Sequence, residues 1–136
     1  MSDQNVNVRY FVDDVERETA WYGKHFGFTL LSSAAPAFAD VRRGHLRLLL
    51  SGTSSTAGRA MPDASKPKPG GWNRFELVVD DLEQEVARLK AEGVHFRNAI
   101  MTGPGGSQIV AEDPSGNQIE LFQPASATPE KKDAHR

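Results

Sequence analysis

The sequence predicts an α+β fold made of two similar modules in tandem. Residues 12–20 (VDDVERETA) recur as residues 79–87 (VDDLEQEVA) in a chain of 136 residues. Each copy follows an alternating, strand-like run and opens a helix-like run, and three further strand-like runs follow each helix. Two β-α-β-β-β modules are therefore expected.

The boundaries of the modules follow from composition. We expect a single domain over residues 1–124, with module one at residues 5–52 and module two at residues 73–124. The linker between them, residues 53–72, is rich in Ser, Gly, Pro, Ala and Lys. The polar and charged tail, residues 125–136, is expected to be disordered.

Capping signals mark the helices in both repeats. Asp13 and Glu16 have the spacing of a capping box, and the second repeat has the same pair 67 residues later. Gly27 and Gly93 follow the helical patterns, as C-terminal glycines do. The sequence therefore predicts one helix per module, beginning at the aspartate pair and ending at the glycine.

The composition excludes several classes of partner. The formal net charge is −2 and the isoelectric point is about 6.1, so neither nucleic acid nor an anionic membrane is an expected partner. The absence of cysteine excludes disulfides and thiolate metal sites. No N-terminal apolar stretch or membrane-length run is present, so a cytoplasmic protein is expected.

The alternation within the strands divides their side chains into two sets. One apolar set, which includes Tyr10, Leu77 and Leu121, should pack under the helices. The opposite set mixes charged, aromatic and leucine side chains: Asn7, Arg9, Phe11, Leu46, Leu48, Leu50, Arg74, Glu76, Val78, Gln118, Glu120 and Phe122. A solvated sheet face is the alternative. A lined cup accounts better for the aromatic and leucine side chains, because exposing such a patch to water is costly.

Several segments resemble the vicinal oxygen chelate superfamily, which includes glyoxalase I, extradiol dioxygenases, fosfomycin-resistance enzymes and bleomycin-resistance proteins. The resemblance lies in the two aspartate-pair repeats, in residues 21–28 (WYGKHFGF) and in residues 112–122 (EDPSGNQIELF). It covers residues 5–123. It implies the glyoxalase/bleomycin-resistance/dioxygenase fold, an α+β fold in which the curved mixed sheets of the two modules surround a central cup. Together with exposed sheet edges, it also implies a homodimer.

The resemblance also indicates where a metal would bind. Metalloenzymes of the superfamily take one ligand from each of four equivalent strands, and the matching positions here are Asn7, Leu48, Arg74 and Glu120. Only Glu120 is a usual ligand type, so no metal and no other cofactor is expected. A divalent metal held loosely by Glu76 and Glu120 is the alternative, although Arg9 and Arg74 on the same face oppose it.

Two functions remain open. The first is a metal-free protein that binds a small organic molecule in the cup. Its predicted ligand-binding residues are Asn7, Arg9, Phe11, Leu48, Trp72, Arg74, Glu76, Gln118, Glu120 and Phe122. The second is an enzyme, a lyase, isomerase or dioxygenase, in which Glu120 or Glu76 acts as general base. Arg74 either forms an ion pair with Glu120 or receives an anionic group of the ligand.

Overall fold

The α+β fold class is confirmed by the structure, a computed structural model that describes residues 5–126. Each predicted module contains one helix and a mixed sheet. The strand β7, which the sequence pattern does not predict, is added to the second module. The elements are β1 (Val6–Phe11), α1 (Val15–Phe26), β2 (Thr29–Ala34), β3 (Phe38–Arg43), β4 (Leu46–Ser51), β5 (Arg74–Val78), α2 (Leu82–Ala91), β6 (His95–Phe96), β7 (Met101–Gly103), β8 (Gly106–Glu112) and β9 (Gln118–Pro124).

The two sheets have matching strand orders. The first is β1-β4-β3-β2 and the second is β5-β9-β8-β6, with β7 paired to β8. In each sheet the first strand of the module pairs in parallel with the last, and the other pairs are antiparallel. Both helices are short, and no helix in the described part of the chain is long and apolar enough to span a bilayer.

The chain divides into two compact units. Within the described residues, the first contains residues 5–71 together with Asp113–Asn117, and the second contains Trp72–Glu112 together with residues 118–126. The loop between β8 and β9 therefore belongs to the first unit. A cup would require both units, so it stays a prediction. The expected disorder beyond residue 126 lies outside the described residues.

Each helix is capped by the second aspartate of its pair and not, as predicted, by the first. Asp14 and Asp81 have extended backbone conformations, and their carboxylates accept hydrogen bonds from the backbone amides three residues later. The capping boxes built on Asp13 and Asp80 are therefore wrong by one residue. The predicted end of the first helix is right, because Gly27 adopts the left-handed conformation with φ at 69°.

One face of the first sheet forms the core of the first unit, with α1 packed on β3 and β4. The register pairs Val8 with Leu48 and Tyr10 with Leu50, and paired side chains share a face of the sheet. Leu48 and Leu50 are completely buried. The prediction that places Leu48 in the ligand-binding face is therefore wrong, and the same holds for Leu46 and Leu50.

The error is a shift of one residue in the comparison of the two repeats. The prediction matches Leu48 with Glu120, whereas the register pairs Asn7 with Arg47 and Arg74 with Gln118. Leu49 is therefore the residue that corresponds to Glu120. Since successive side chains of a strand point to opposite faces, a shift of one residue moves Leu48 from the predicted ligand face to the core.

We predict that Leu48→Ala and Leu49→Ala differ strongly in stability. Leu48 is buried in the core, so truncating it should lower the free energy of unfolding by about 2–5 kcal/mol. Leu49 lies on the opposite, half-exposed face, so truncating it should lower the free energy of unfolding by at most about 1 kcal/mol. Urea denaturation of both variants measures this difference, and the reverse order would show that the β1–β4 register is different.

Candidate functional site

One face of the second sheet brings together five of the predicted site residues. The register pairs Arg74 with Gln118, Glu76 with Glu120, and Val78 with Phe122. These side chains therefore share a face, while the alternate residues face α2 and form the core of the second unit: Phe75, Leu77, Ile119 and Leu121. The face is polar at the Arg74 end and apolar at the Phe122 end.

An ion pair occupies the polar end. Arg74 Nε donates to Glu120 Oε1 at 2.9 Å, and Nη1 lies 3.5 Å from both Gln118 Oε1 and the Trp72 carbonyl oxygen. The side chain of Glu120 is only 11% exposed and that of Arg74 is 26% exposed. Of the two alternatives for Arg74, the structure shows the ion pair with Glu120.

A cavity of about 480 Å³ lies at the apolar end. It is lined by Met101, Thr102, Gly103, Pro104, Gly105, Gly106, Gln108 and Phe122. Of these residues only Phe122 is predicted from the sequence. The loop before β8 has the composition of an ordinary hairpin turn, and β7 is too short for a periodic pattern, so Met101 and Gln108 carry no signal of their own.

Gly106 is required for the shape of this cavity. Its φ is +146°, and a Cβ atom placed there would lie 2.2 Å from the Gln123 carbonyl oxygen and 2.9 Å from the Phe122 ring. Only glycine can adopt this backbone conformation without clashing. The turn, β8 and the Phe122 ring are therefore held close together, which fixes one wall of the cavity.

Trp72, the remaining predicted residue of this half, lies on the surface beside β5. It is 71% exposed, and the Arg97 guanidinium stacks on its ring with 4.7 Å between the charge centre and the ring centroid. Arg97 also forms a salt bridge with Glu112 at 3.1 Å. Cation–π stacking at an exposed site contributes about 0.5–1 kcal/mol, so Trp72 has a partner within its own unit.

The first sheet presents a different set of side chains on its equivalent face. Asn7, Arg9 and Phe11 are paired with Arg47, Leu49 and Ser51. Arg9 Nη1 donates to the buried Ser51 Oγ at 2.7 Å. Arg47 forms a salt bridge of 2.8 Å with Asp40, which also accepts a hydrogen bond from Ser32. These bonds hold the polar side chains of this face in place.

The residues at the family's metal-ligand positions do not fit a metal. With the register corrected, these positions hold Asn7, Leu49, Arg74 and Glu120. Leucine has no donor atom, Arg74 brings a positive charge, and Glu120 is already hydrogen-bonded to that arginine. No group of three or more His, Asp or Glu side chains able to hold a metal occurs within residues 5–126.

A buried hydrogen-bond network holds the Asp113–Asn117 loop within the first unit. Asp113 Oδ1 accepts from the backbone amides of Ser115 and Asn117, and Oδ2 accepts from the Tyr22 hydroxyl at 2.8 Å. Asn117 Nδ2 donates to the Phe11 carbonyl oxygen at 2.9 Å. The loop signal EDPSGN is visible in the sequence, but its partners are separated from it by about a hundred residues and could not be identified there.

Glu18 is the unusual member of this network. Its carboxylate is fully buried on α1, where Oε2 accepts from Ser115 Oγ and from Arg17 Nη2, both at 2.9 Å. Oε1 has no hydrogen-bond partner among the described residues. Burial, together with the negative charge of Asp113, raises the pKa of Glu18 to about 7, against the opposing effect of the bonds from Arg17 and Ser115.

We predict that Glu18 makes stability depend on pH. A raised carboxyl pKa stabilises the fold at low pH, and this contribution is lost as pH rises from about 4.5 to about 7. Glu18→Gln should therefore gain stability relative to the wild type over this range, by at most about 1.4 kcal/mol per pH unit. Denaturation of both proteins at several pH values measures the difference.

Glu16→Gln provides the control for this prediction, because Glu16 lies on the same helix but is exposed. It removes the same charge without touching the network. If the two variants show the same pH dependence, burial of Glu18 is not the cause.

The class of protein follows from the two β-α-β-β-β modules. In the sheet of each module, a parallel pair of strands carries a face that mixes polar and apolar side chains. A family model described as the Glyoxalase/Bleomycin resistance protein/Dioxygenase superfamily matches residues 6–121. The chain therefore belongs to this superfamily, as the sequence resemblance predicts. None of the curated proteins matches the chain.

Solved structures agree with this fold. The antibiotic-binding protein TnmS3 from Streptomyces sp. CB03234 is 27% identical, with a TM-score of 0.68 and coverage of 89% of this chain and 95% of that chain. A lactoylglutathione lyase from Agrobacterium tumefaciens is 21% identical, with a TM-score of 0.69 and coverage of 87% and 91%. A superfamily member from Sphaerobacter thermophilus is 24% identical, with a TM-score of 0.70 and coverage of 88% and 95%.

Proposed function

We propose that this protein binds a small, mainly apolar or aromatic organic molecule and does so without a resident metal. The observation that carries the proposal is the cavity of about 480 Å³ beside Phe122 in the second unit. Its size lies within the range of small-molecule sites, which combine apolar walls with a few polar groups. The similarity to an antibiotic-binding protein supports the same function.

The walls of the cavity indicate what kind of molecule fits. Met101 and Phe122 offer a thioether and an aromatic ring, and glycines of the 103–106 turn let a ligand approach the backbone closely. Gln108 provides an amide that can donate and accept. A neutral aromatic molecule with one polar substituent therefore suits this cavity best.

Arg74 has a smaller role in this proposal than the sequence suggests. Its Nε is bound to Glu120, so an incoming anion would compete with a carboxylate that is already in place. Removing one partner of a buried ion pair is costly, because the other charge is left unpaired. We therefore propose that Arg74 and Glu120 have a structural role, in which each holds the other in place at the polar end of the face.

The enzyme alternative has less support from these contacts. A general base needs a free lone pair within reach of the substrate proton. No carboxylate is found among the described residues that line the cavity at Phe122, and Glu120 is held by Arg74 at the polar end of the face. The geometry therefore favours binding over proton abstraction.

Assembly and location remain part of the proposal. We keep the homodimer as a prediction, because β2 is an edge strand that is exposed along its whole length. We also keep the cytoplasm as the expected compartment.

Binding can be tested with N-phenyl-1-naphthylamine, a neutral aromatic fluorophore. We expect its fluorescence to rise when it enters the cavity of the wild type. Met101→Asp places a carboxylate on the cavity wall and should weaken binding by about tenfold or more, which corresponds to about 1.4 kcal/mol.

Leu30→Asp is the matched control for this experiment. Leu30 is 50% exposed and Met101 is 59% exposed, but Leu30 lies on β2 of the first unit and does not line the cavity. It should change the affinity by less than about twofold. Equal losses in both variants would show that the fluorophore binds exposed apolar surface and not the cavity.

Metal content provides a separate prediction. Because the four family positions supply one conventional donor, the purified protein should hold no stoichiometric Zn, Ni, Mn or Fe. Elemental analysis after dialysis measures this directly. About one metal per chain in the wild type, absent from Glu120→Ala, would overturn the metal-free proposal.

A further inference from the structure

A second cavity lies in the first unit and is independent of the one in the proposed function. Its volume is about 400 Å³, and it is lined by Arg9, Ala37, Phe38, Ser54, Ser55, Thr56 and Ala57. Arg9 is the only ionisable residue among the described residues that line it. A cavity with one cation, several hydroxyls and no carboxylate favours a negatively charged ligand.

The guanidinium of Arg9 is positioned without being neutralised. Nη1 donates to Ser51 Oγ at 2.7 Å, and Ser51 is completely buried. Among residues 5–126 no carboxylate forms a salt bridge with Arg9, whereas Arg47 on the same face is paired with Asp40. Arg9 is thus oriented by a neutral acceptor and keeps its charge available to a ligand.

The other lining residues of the cavity include a loop, residues 54–57, that is held by hydrogen bonds. Gly52 donates its amide to the Ala37 carbonyl oxygen at 2.8 Å. Ser55 Oγ donates to the Gly52 carbonyl oxygen at 2.6 Å and accepts from the Gly58 amide. These bonds fix the turn that carries Ser54 and Thr56, whose hydroxyls have no hydrogen-bond partner within the described residues and can donate to an anion.

An aromatic ring completes the site. Phe38 is paired with Ser51 across β3 and β4, and Ser51 is paired with Phe11 across β4 and β1. Phe38 therefore shares the sheet face of Arg9 and lines the cavity beside it. A planar ligand can contact this ring while its charged end meets the guanidinium.

We propose that this cavity binds the carboxylate end of a small aromatic acid. A carboxylate matches the planar donor geometry of a guanidinium, and the loop hydroxyls supply further donors. The cavity volume lies within the range of small-ligand sites. The proposal does not depend on the cavity at Phe122, because the two cavities have no lining residue in common.

The test compares benzoate with benzamide, which has the same ring and a neutral head group. Titration followed by amide NMR should show benzoate binding the wild type at least about tenfold more tightly, the ratio expected for a charge-assisted hydrogen bond. The perturbed amides should lie at residues 51–58 and not at residues 101–108. Arg9→Gln should abolish the preference for the acid, and Arg9→Lys should keep part of it.

Arg42→Gln is the matched control, because Arg42 lies on the same sheet face, bonds to Asn5 and does not line the cavity. It removes the same charge and should retain the preference. Equal affinity of the wild type for acid and amide would overturn the proposal. An equal loss of the preference for the acid in Arg9→Gln and Arg42→Gln would also overturn it. So would benzoate-dependent shifts of amide signals confined to residues 101–108. None of these results would contradict the proposed binding of neutral ligands at Phe122.

Discussion

The parallel pairing of β1 with β4 and of β5 with β9 determines which side chains lie on the face of each sheet opposite its helix. In both pairs the register brings two rows of side chains onto one face, and a shift of one residue would exchange that face with the core. Leu48 and Leu49 show the effect most directly, because they are neighbours in the chain and belong to opposite faces. For these four strands, the pairing determines which side chains are candidate ligand contacts and which belong to the core.

The sequence predicts the two modules, the helices and most of the strands, because these features depend on local patterns and on a repeat within the sequence. It also predicts the shared face of Arg74, Gln118 and Glu120, since regular alternation extends through both strands. In β4, Arg47 and Ser51 alternate with Leu46, Leu48 and Leu50, so alternation alone indicates the core face that the structure shows. The prediction instead relied on matching Leu48 with Glu120, and this match between the two repeats is wrong by one residue. Contacts between distant segments, such as Tyr22 with Asp113, leave no local signal at all.

The repeat preserves the backbone while the side chains on the two faces differ in charge. Arg9 and Glu76 occupy equivalent positions 67 residues apart, and one is a cation where the other is an acid. In the first unit Arg9 is held by a neutral hydroxyl, whereas in the second Arg74 is held by a carboxylate. Our proposals assign an anionic ligand to the cavity at Arg9 and a neutral one to the cavity at Phe122, where no charged residue is found among the described lining residues.

The loop Asp113–Asn117 groups with the first unit although its neighbours in the chain belong to the second. The boundary between the two sequence repeats therefore differs from the boundary between the two compact units. A fragment ending at Gly71 would lack the carboxylate that accepts from Tyr22 and the amide that donates to the Phe11 carbonyl oxygen. Expressing the chain only as far as the linker would therefore deprive the first unit of buried hydrogen bonds that belong to it.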